Sequence, residues 1–178
     1  MLHKRNDFEI LEILLKEDSH VREIAAKLNM IPSTVMRILK RMQKEGIVDF
    51  KKEGRNTRYF LKKTTEAKIS AQMVENYRLQ KIMQNPSLRM VLMELIESTE
   101  GELIVLFGSH AKGNATEKSD IDIYLETKDS SLKEKLRKIS DKLSIKIGNF
   151  DKESLLAKEI IKDHIIIQNV DRFYRLIR

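Results

Sequence analysis

An apolar, β-branched run, Leu103 to Phe107, ends on Gly108-Ser109, and after ten intervening residues the chain resumes with Asp120-Ile121-Asp122. Glu102 to Phe107 has the composition of a buried strand. Gly108 lets the backbone turn sharply and brings N–H groups close to an anion. Ser109 then stands at the mouth of a short helix, whose first N–H groups lack partners and attract negative charge. Ile121, Ile123 and Leu125 alternate with Asp120, Asp122 and Tyr124. A second strand therefore buries the aliphatic side chains and turns both carboxylates to the other face. Two carboxylates about 7 Å apart along one strand face can share a hard divalent ion. The spacing predicts strand, turn, helix and strand around a metal and phosphate site.

Charge is placed unevenly along the 178 residues, whose net charge is +7. Residues 1–65 carry 15 Lys and Arg against 9 Asp and Glu, whereas residues 101–178 carry 15 against 13. The first third therefore suits a polyanion such as nucleic acid. The absence of cysteine excludes disulfides, thiolate zinc sites and cysteine nucleophiles. No apolar run approaches the ~20 residues that span a bilayer, and the opening MLHKRNDFEI lacks the apolar core of a signal peptide. A soluble cytoplasmic protein with no membrane partner is the expectation.

The pattern of the first third is helix, helix, turn, helix and hairpin. Phe8, Ile10, Leu11, Ile13, Leu14 and Leu15 form the apolar stripe of a first helix ending near Asp18. Ser19 is the expected N-cap of a second helix carrying Val21, Ile24, Ala25 and Leu28. Pro32 suits the first position of a third helix, where its missing N–H costs nothing, and Gly46 ends that helix. Ile47–Lys52 and Thr57–Leu61 read as strands around a tight loop of residues 53–56. Residues 66–100 read as a helical linker, with Ile69, Met73, Tyr77 and Ile82 on one side and a break at Asn85-Pro86. Met73, Met83, Met90 and Met93 read as core or dimer contacts, and this helix pair offers a homodimer surface. From residue 101 onward the elements alternate: strand, turn, strand, helix Ser130–Lys142, strand Leu143–Phe150, helix Lys152–Lys162, strand Ile165–Gln168 and a tail helix.

On the third helix, Ser33, Thr34, Arg37, Lys40, Arg41 and Lys44 lie off the apolar stripe and form a solvent face. Short hydroxyls and Arg reach base edges in a major groove, while later Lys and Arg meet phosphates. Arg55 at the hairpin tip and Arg58 beside it add charge suited to the backbone or minor groove. From Val21 to Leu61 the chain resembles the MarR-like and ArsR-like winged-helix regulators. The resemblance implies double-stranded DNA as partner, with Ser33, Thr34 and Arg37 reading bases and Arg55 and Arg58 gripping the backbone. Ile31 departs from such sequences, which often place a capping serine there, so Ser33 is expected to set the start of the helix.

The run FGSHAKGNATEKSDIDIYLE resembles the minimal nucleotidyltransferases of the DNA polymerase β superfamily, through Gly108, Ser109, Ala111, Gly113, Ala115, Ser119, Asp120 and Asp122. Lys112 stands where that family usually has arginine. The resemblance implies that Gly108, Ser109 and Lys112 bind the triphosphate of ATP or another NTP, and that Asp120 and Asp122 coordinate Mg²⁺ or Mn²⁺. Asp120, Asp122 and Ser109 are then the catalytic set. The family usually adds a third carboxylate on the following strand. Here Ser144 and Lys146 occupy the polar face of that strand, and Lys146 falls at the expected position. Without a general base, chemistry is slowed by roughly 10² to 10⁴. His110 lies inside the motif, while His3, His20 and His164 are scattered and suggest no metal cluster.

The expected architecture is α+β in two domains: a winged helix-turn-helix over 1–65, the linker over 66–100, and a small α/β nucleotidyltransferase-like domain with a mixed sheet over 101–178. One expected function is a DNA-tethered, Mg²⁺-dependent transferase moving a nucleotide from an NTP to a hydroxyl. Resemblance to minimal nucleotidyltransferases that act as antitoxins adds a side chain of a toxin-like partner as acceptor. The other is a transcription regulator whose degenerate domain binds a nucleotide without turning it over, Lys146 replacing the third carboxylate.

Overall fold

The computed structural model describes residues 5–54, 56–99 and 101–177. Two compact units meet between Tyr77 and Arg78. The first contains α1 (Arg5–Lys16), β1 (Ser19–His20), α2 (Val21–Leu28), α3 (Pro32–Lys44), β2 (Val48–Glu53), β3 (Asn56–Leu61) and the start of α4 (Thr65–Ile82). Asn29 ends α2 in the left-handed conformation at φ 49°, so the chain turns at once into α3. Pro32 opens α3 as expected, but Ile31 holds the cap position without a side-chain bond, and Ser33 lies inside the helix. Val35, Ile38, Leu39 and Met42 bury the inner stripe of α3 against Ile10, Leu11 and Leu14 of α1 and Ile24 of α2. Gly46 follows at φ 76°, and the hairpin begins.

Strands β1, β3 and β2 form an antiparallel sheet in that order. Ser19 does not cap α2. Its backbone pairs with Tyr59 in β1, which moves the cap to His20, whose N–H is accepted by the Glu23 carboxylate at 2.8 Å. The stripe expected on α4 is also shifted. Ala67, Ser70 and Val74 are buried, whereas Ile69 is 52% exposed. Small side chains let a helix lie close to its neighbours, and here they fix which face turns inward. Tyr77 stacks on Phe8 with ring centroids 5.0 Å apart.

The second unit contains the end of α4, then α5 (Pro86–Ser98), β4 (Leu103–Phe107), α6 (Gly108–Lys112) and β5 (Ile121–Glu126). After these come α7 (Leu132–Arg137), β6 (Leu143–Ile147), α8 (Leu155–Lys162), β7 (Ile165–Gln168) and α9 (Val170–Leu176). Asn85 caps α5, its side chain accepting the Leu88 N–H at 3.1 Å. The sheet order is β6-β5-β4-β7, with β4 antiparallel to β5 and β7 and β5 parallel to β6, so the sheet is mixed. One face buries Ile104, Leu106, Ile121, Ile123 and Ile145 against Leu88, Leu92 and Leu95 of α5 and Leu136 of α7. The other buries Leu103, Val105, Phe107 and Tyr124 against Ile160 of α8 and Phe173 of α9.

Three elements are shorter than their patterns suggest. The helix expected over Ser130–Lys142 is regular only over Leu132–Arg137, and the strand expected to reach Phe150 stops at Ile147, before Gly148 at φ 153°. The helix expected from Lys152 starts at Leu155, because the Ser154 hydroxyl caps it by accepting the Ala157 N–H at 3.1 Å. Met90 and Met93 of α5 are 72% and 47% exposed, so neither belongs to the core of this chain.

Asp7 of α1 is 2% exposed and lies 2.6 Å from the Arg41 guanidinium. Arg41→Met removes a cation from a buried carboxylate and should lower unfolding free energy by about 3 kcal/mol. Arg37→Met, on the exposed face of α3, should change it by less than about 0.5 kcal/mol. Urea unfolding of the two variants checks the difference.

Candidate functional site

The turn from β4 into α6 and the first residues of β5 lie side by side because Phe107 and Asp122 are paired across the antiparallel ladder. Gly108 follows at φ 67°, a conformation L side chains seldom adopt. A Cβ placed there would fall on Oδ2 of Asp122 and lie 3.1 Å from its Cγ. Glycine is thus required twice, by the backbone angle and by the carboxylate pressed against it. Ser109 and Asp122 are half-buried, and Asp120, one residue before β5, is exposed. The sequence motif therefore closes in space around one end of the sheet. Among the described residues, no three His, Asp or Glu side chains converge in a metal-binding group.

Strand register decides what stands next to the carboxylates. In the parallel pair of β5 and β6, Asp122 lies beside Ser144 and Tyr124 lies beside Lys146. Lys146, which the resemblance sets at the third-carboxylate position, is one pair farther from the Gly108 turn than Ser144, the residue that pairs with Asp122. Tyr124 itself is buried, and its hydroxyl donates to the Gly148 carbonyl at 2.7 Å.

Lys112, at the end of α6, donates to Glu159 of α8 at 3.0 Å. That hydrogen bond, with the charges of Glu159, Asp163 and Asp122, raises the Lys112 pKa above the ordinary lysine value. The side chain is a cation engaged by Glu159, and Asp122 contributes to the field around it. Glu159 lies 47 positions from Lys112, and nothing in the local pattern announces the pairing.

On α3 the solvent face divides. Ser33, Arg37, Lys40 and Lys44 are exposed, Thr34 is half-buried, and Met36 and Arg41 help line the same shallow groove of about 450 Å³. Arg41 is drawn inward by Asp7. Arg58 of β3 is also engaged: it lies 3.1 Å from Glu53 and donates to the Asp18 carbonyl at 3.4 Å. Arg55 lies outside the described residues. The face available to an anion is thus narrower than the charge count implies. Lys40 and Lys44 follow Arg37 around one side of the helix, and Lys51 and Lys52 stand on β2.

Residues 92–173 match the family described as polymerase beta nucleotidyltransferase, and residues 4–49 match that described as winged helix-turn-helix DNA-binding. The chain joins these two domain types. Comparison with curated proteins gives no match. Among solved structures, the transcriptional repressor BigR of Xylella fastidiosa overlays with a TM-score of 0.41 at 16% identity, covering 44% of this chain and 78% of that one. The adhesin competence repressor AdcR of Streptococcus pyogenes gives 0.41 at 19% identity, covering 55% and 68%. A protein of Archaeoglobus fulgidus gives 0.39 at 28% identity, covering 47% and 93%. In the winged helix-turn-helix domain, α3 is the helix that follows the turn. In the nucleotidyltransferase domain, the Gly108 turn and Asp122 fall at the heart of the matched region.

Gly108→Ala should cost about 3 kcal/mol of stability, from the left-handed backbone and the overlap with Asp122. Adding Asp122→Ala removes the overlap and should restore part of the loss, leaving the backbone contribution. Thermal unfolding of the two single variants and the double variant measures this coupling.

Proposed function

We propose that the chain binds double-stranded DNA through α3 and the hairpin, and that its nucleotidyltransferase domain transfers a nucleotide from ATP or another NTP to a hydroxyl. The observation that carries the second half is the Gly108 backbone pressed on the Asp122 carboxylate, because transfer chemistry depends on bringing phosphate-binding N–H groups and carboxylates together. Asp120 and Asp122 are acidic, oxygen-bearing and accessible, a donor set suited to Mg²⁺ or Mn²⁺. A divalent ion held there would neutralise charge on the donor's phosphates. Ser109 offers a hydroxyl and an N–H to a phosphate oxygen, and Lys112 supplies positive charge when a phosphate competes with Glu159 for it. The acceptor is a hydroxyl, and a side chain on a toxin-like partner protein is one candidate.

Ser144 beside Asp122 favours a second reading. A hydroxyl there is neither a metal ligand of carboxylate strength nor a base for the acceptor's proton. Under this reading the domain binds a nucleotide and adjusts DNA affinity without turnover. Incubation with labelled ATP and Mg²⁺ separates the two. An active transferase labels its acceptor in the wild type and loses at least ~100-fold of that rate in Asp120→Asn. A sensing domain gives no transfer while calorimetry still records Mg²⁺-ATP binding, and Ser144→Asp then raises transfer. Absence of both transfer and binding would remove the nucleotide site altogether.

The DNA half has its own test. If Arg37, Lys40 and Lys44 each meet a phosphate or base, single replacement by Ala should reduce the slope of log affinity against log salt by about 1. Arg37→Glu with Lys44→Glu should weaken binding to duplex DNA by at least ~100-fold at low salt. Fluorescence anisotropy across a salt series checks both.

A further inference from the structure

A cleft of about 680 Å³ opens on the nucleotidyltransferase domain between the start of α5, the loop from α6 to β5, and the approach to β6. Leu88, Val91 and Ile121 give it an apolar floor, and Asn85, Ser87 and His110 stand at its polar wall. Ile121 points to the α5 face of the sheet, whereas Asp122, the next residue along the strand, points to the α8 face. The cleft and the carboxylate pair therefore lie on opposite faces. Among the described residues that line it, Lys142 and Glu117 carry full charges and offset each other, and the Lys142 ammonium donates to the Glu117 carbonyl at 2.6 Å. A triphosphate has no net counter-charge here. A neutral molecule does not need one.

We propose that this cleft is a second ligand site, for an uncharged, hydrogen-bond-rich molecule of nucleoside size. Its volume lies within the few hundred to ~1,000 Å³ range of small-molecule sites. A flat ring can lie on Leu88, Val91 and Ile121 while its polar edge meets Asn85, Ser87 and His110. His110 lines the cleft, and its Nε2 has no hydrogen-bond partner among the described residues.

The same loop that walls the cleft ends on Asp120. Asn114 donates to the Ser109 carbonyl at 3.1 Å, and the Thr116 N–H donates to the Ser119 hydroxyl at 2.8 Å. A ligand that stiffens residues 115–119 therefore acts on Ser109 and Asp120 together. This coupling rests on the proposed phosphate and metal site, but binding in the cleft does not. Linkage makes the effect reciprocal, so Mg²⁺-ATP and the cleft ligand change one another's affinity by the same factor.

The test is titration of the full chain with each of the four common ribonucleosides, without metal, followed by saturation-transfer NMR. At least one should bind the wild type. That binding should persist within 2-fold in Asp122→Asn, which disables only the carboxylate site. It should weaken at least 10-fold in Ser87→Trp, which fills the cleft from an exposed position, and in His110→Ala. Unchanged melting temperatures in these variants confirm that the fold is intact. The proposal is overturned if no nucleoside binds, if binding is lost in Asp122→Asn, or if it survives in Ser87→Trp. Loss of Mg²⁺-ATP binding in Asp122→Asn tests the other face of the sheet separately.

Discussion

The contact between the Gly108 backbone and the Asp122 carboxylate governs the geometry of the C-terminal domain's candidate site. It follows from the pairing of Phe107 with Asp122, because the residue after a strand's last pair must turn across the end of its neighbour. Any side chain at 108 would push β4 and β5 apart at that end. It would also force a backbone conformation that favours glycine alone among residues without local polar rescue. The rest of the unit supports this join. Leu103, Val105 and Phe107 are buried on one face and Ile104 and Leu106 on the other, so β4 cannot shift by one residue without exchanging its two packed faces.

Basic charge in the N-terminal unit performs two kinds of work. Arg41 and Arg58 face inward or sideways onto Asp7, Glu53 and the Asp18 carbonyl, and they tie α3 to α1 and the hairpin to β1. Arg37, Lys40 and Lys44 remain on the outer surface of α3. The rigid placement of α3 depends on the first group, and the face it presents is made by the second. A residue can thus be essential to DNA affinity by holding the helix without touching a phosphate. Under the proposed function the distinction is energetic: loss of an inward arginine lowers stability, whereas loss of an outward basic residue lowers the salt dependence of DNA binding.

Much of this was legible in the chain. The apolar stripes of α1 and α3, the Pro32 start, the Asn85-Pro86 break and β7 are local patterns, the stripes and β7 set by apolar periodicity and the helix starts by proline geometry. The Gly-Ser and Asp-x-Asp motifs meet at one end of one sheet, as their strand-turn-strand spacing predicts. What was hidden depended on partners distant in sequence. Ser19 has good capping chemistry, but β3 claims its backbone from 40 positions away, through Tyr59. Lys146 and Ser144 share a face of β6, and only the parallel register with β5 decides which of them meets Asp122. The stripe of α4 was misplaced because Ile69 outweighs Ala67 and Ser70 in hydrophobicity, while close approach favours the smaller residues. Lys112 with Glu159, and Asp7 with Arg41, are likewise pairings of tertiary origin.

A serine beside Asp122 has a consequence for the geometry of the domain as well as for its chemistry. Three carboxylates at one end of a sheet repel one another, and without a cation that repulsion raises their proton affinity and strains the turn they surround. With Ser144 paired to it, Asp122 meets a neutral neighbour in β6, and its carboxylate lies pressed against Gly108. Under the proposed function, this favours a domain whose phosphate turn is formed before any ligand arrives, at the expense of the base that speeds transfer. Preorganisation of that kind serves recognition of a nucleotide at least as well as its turnover, and it makes the identity of residue 144 the point at which the two readings separate.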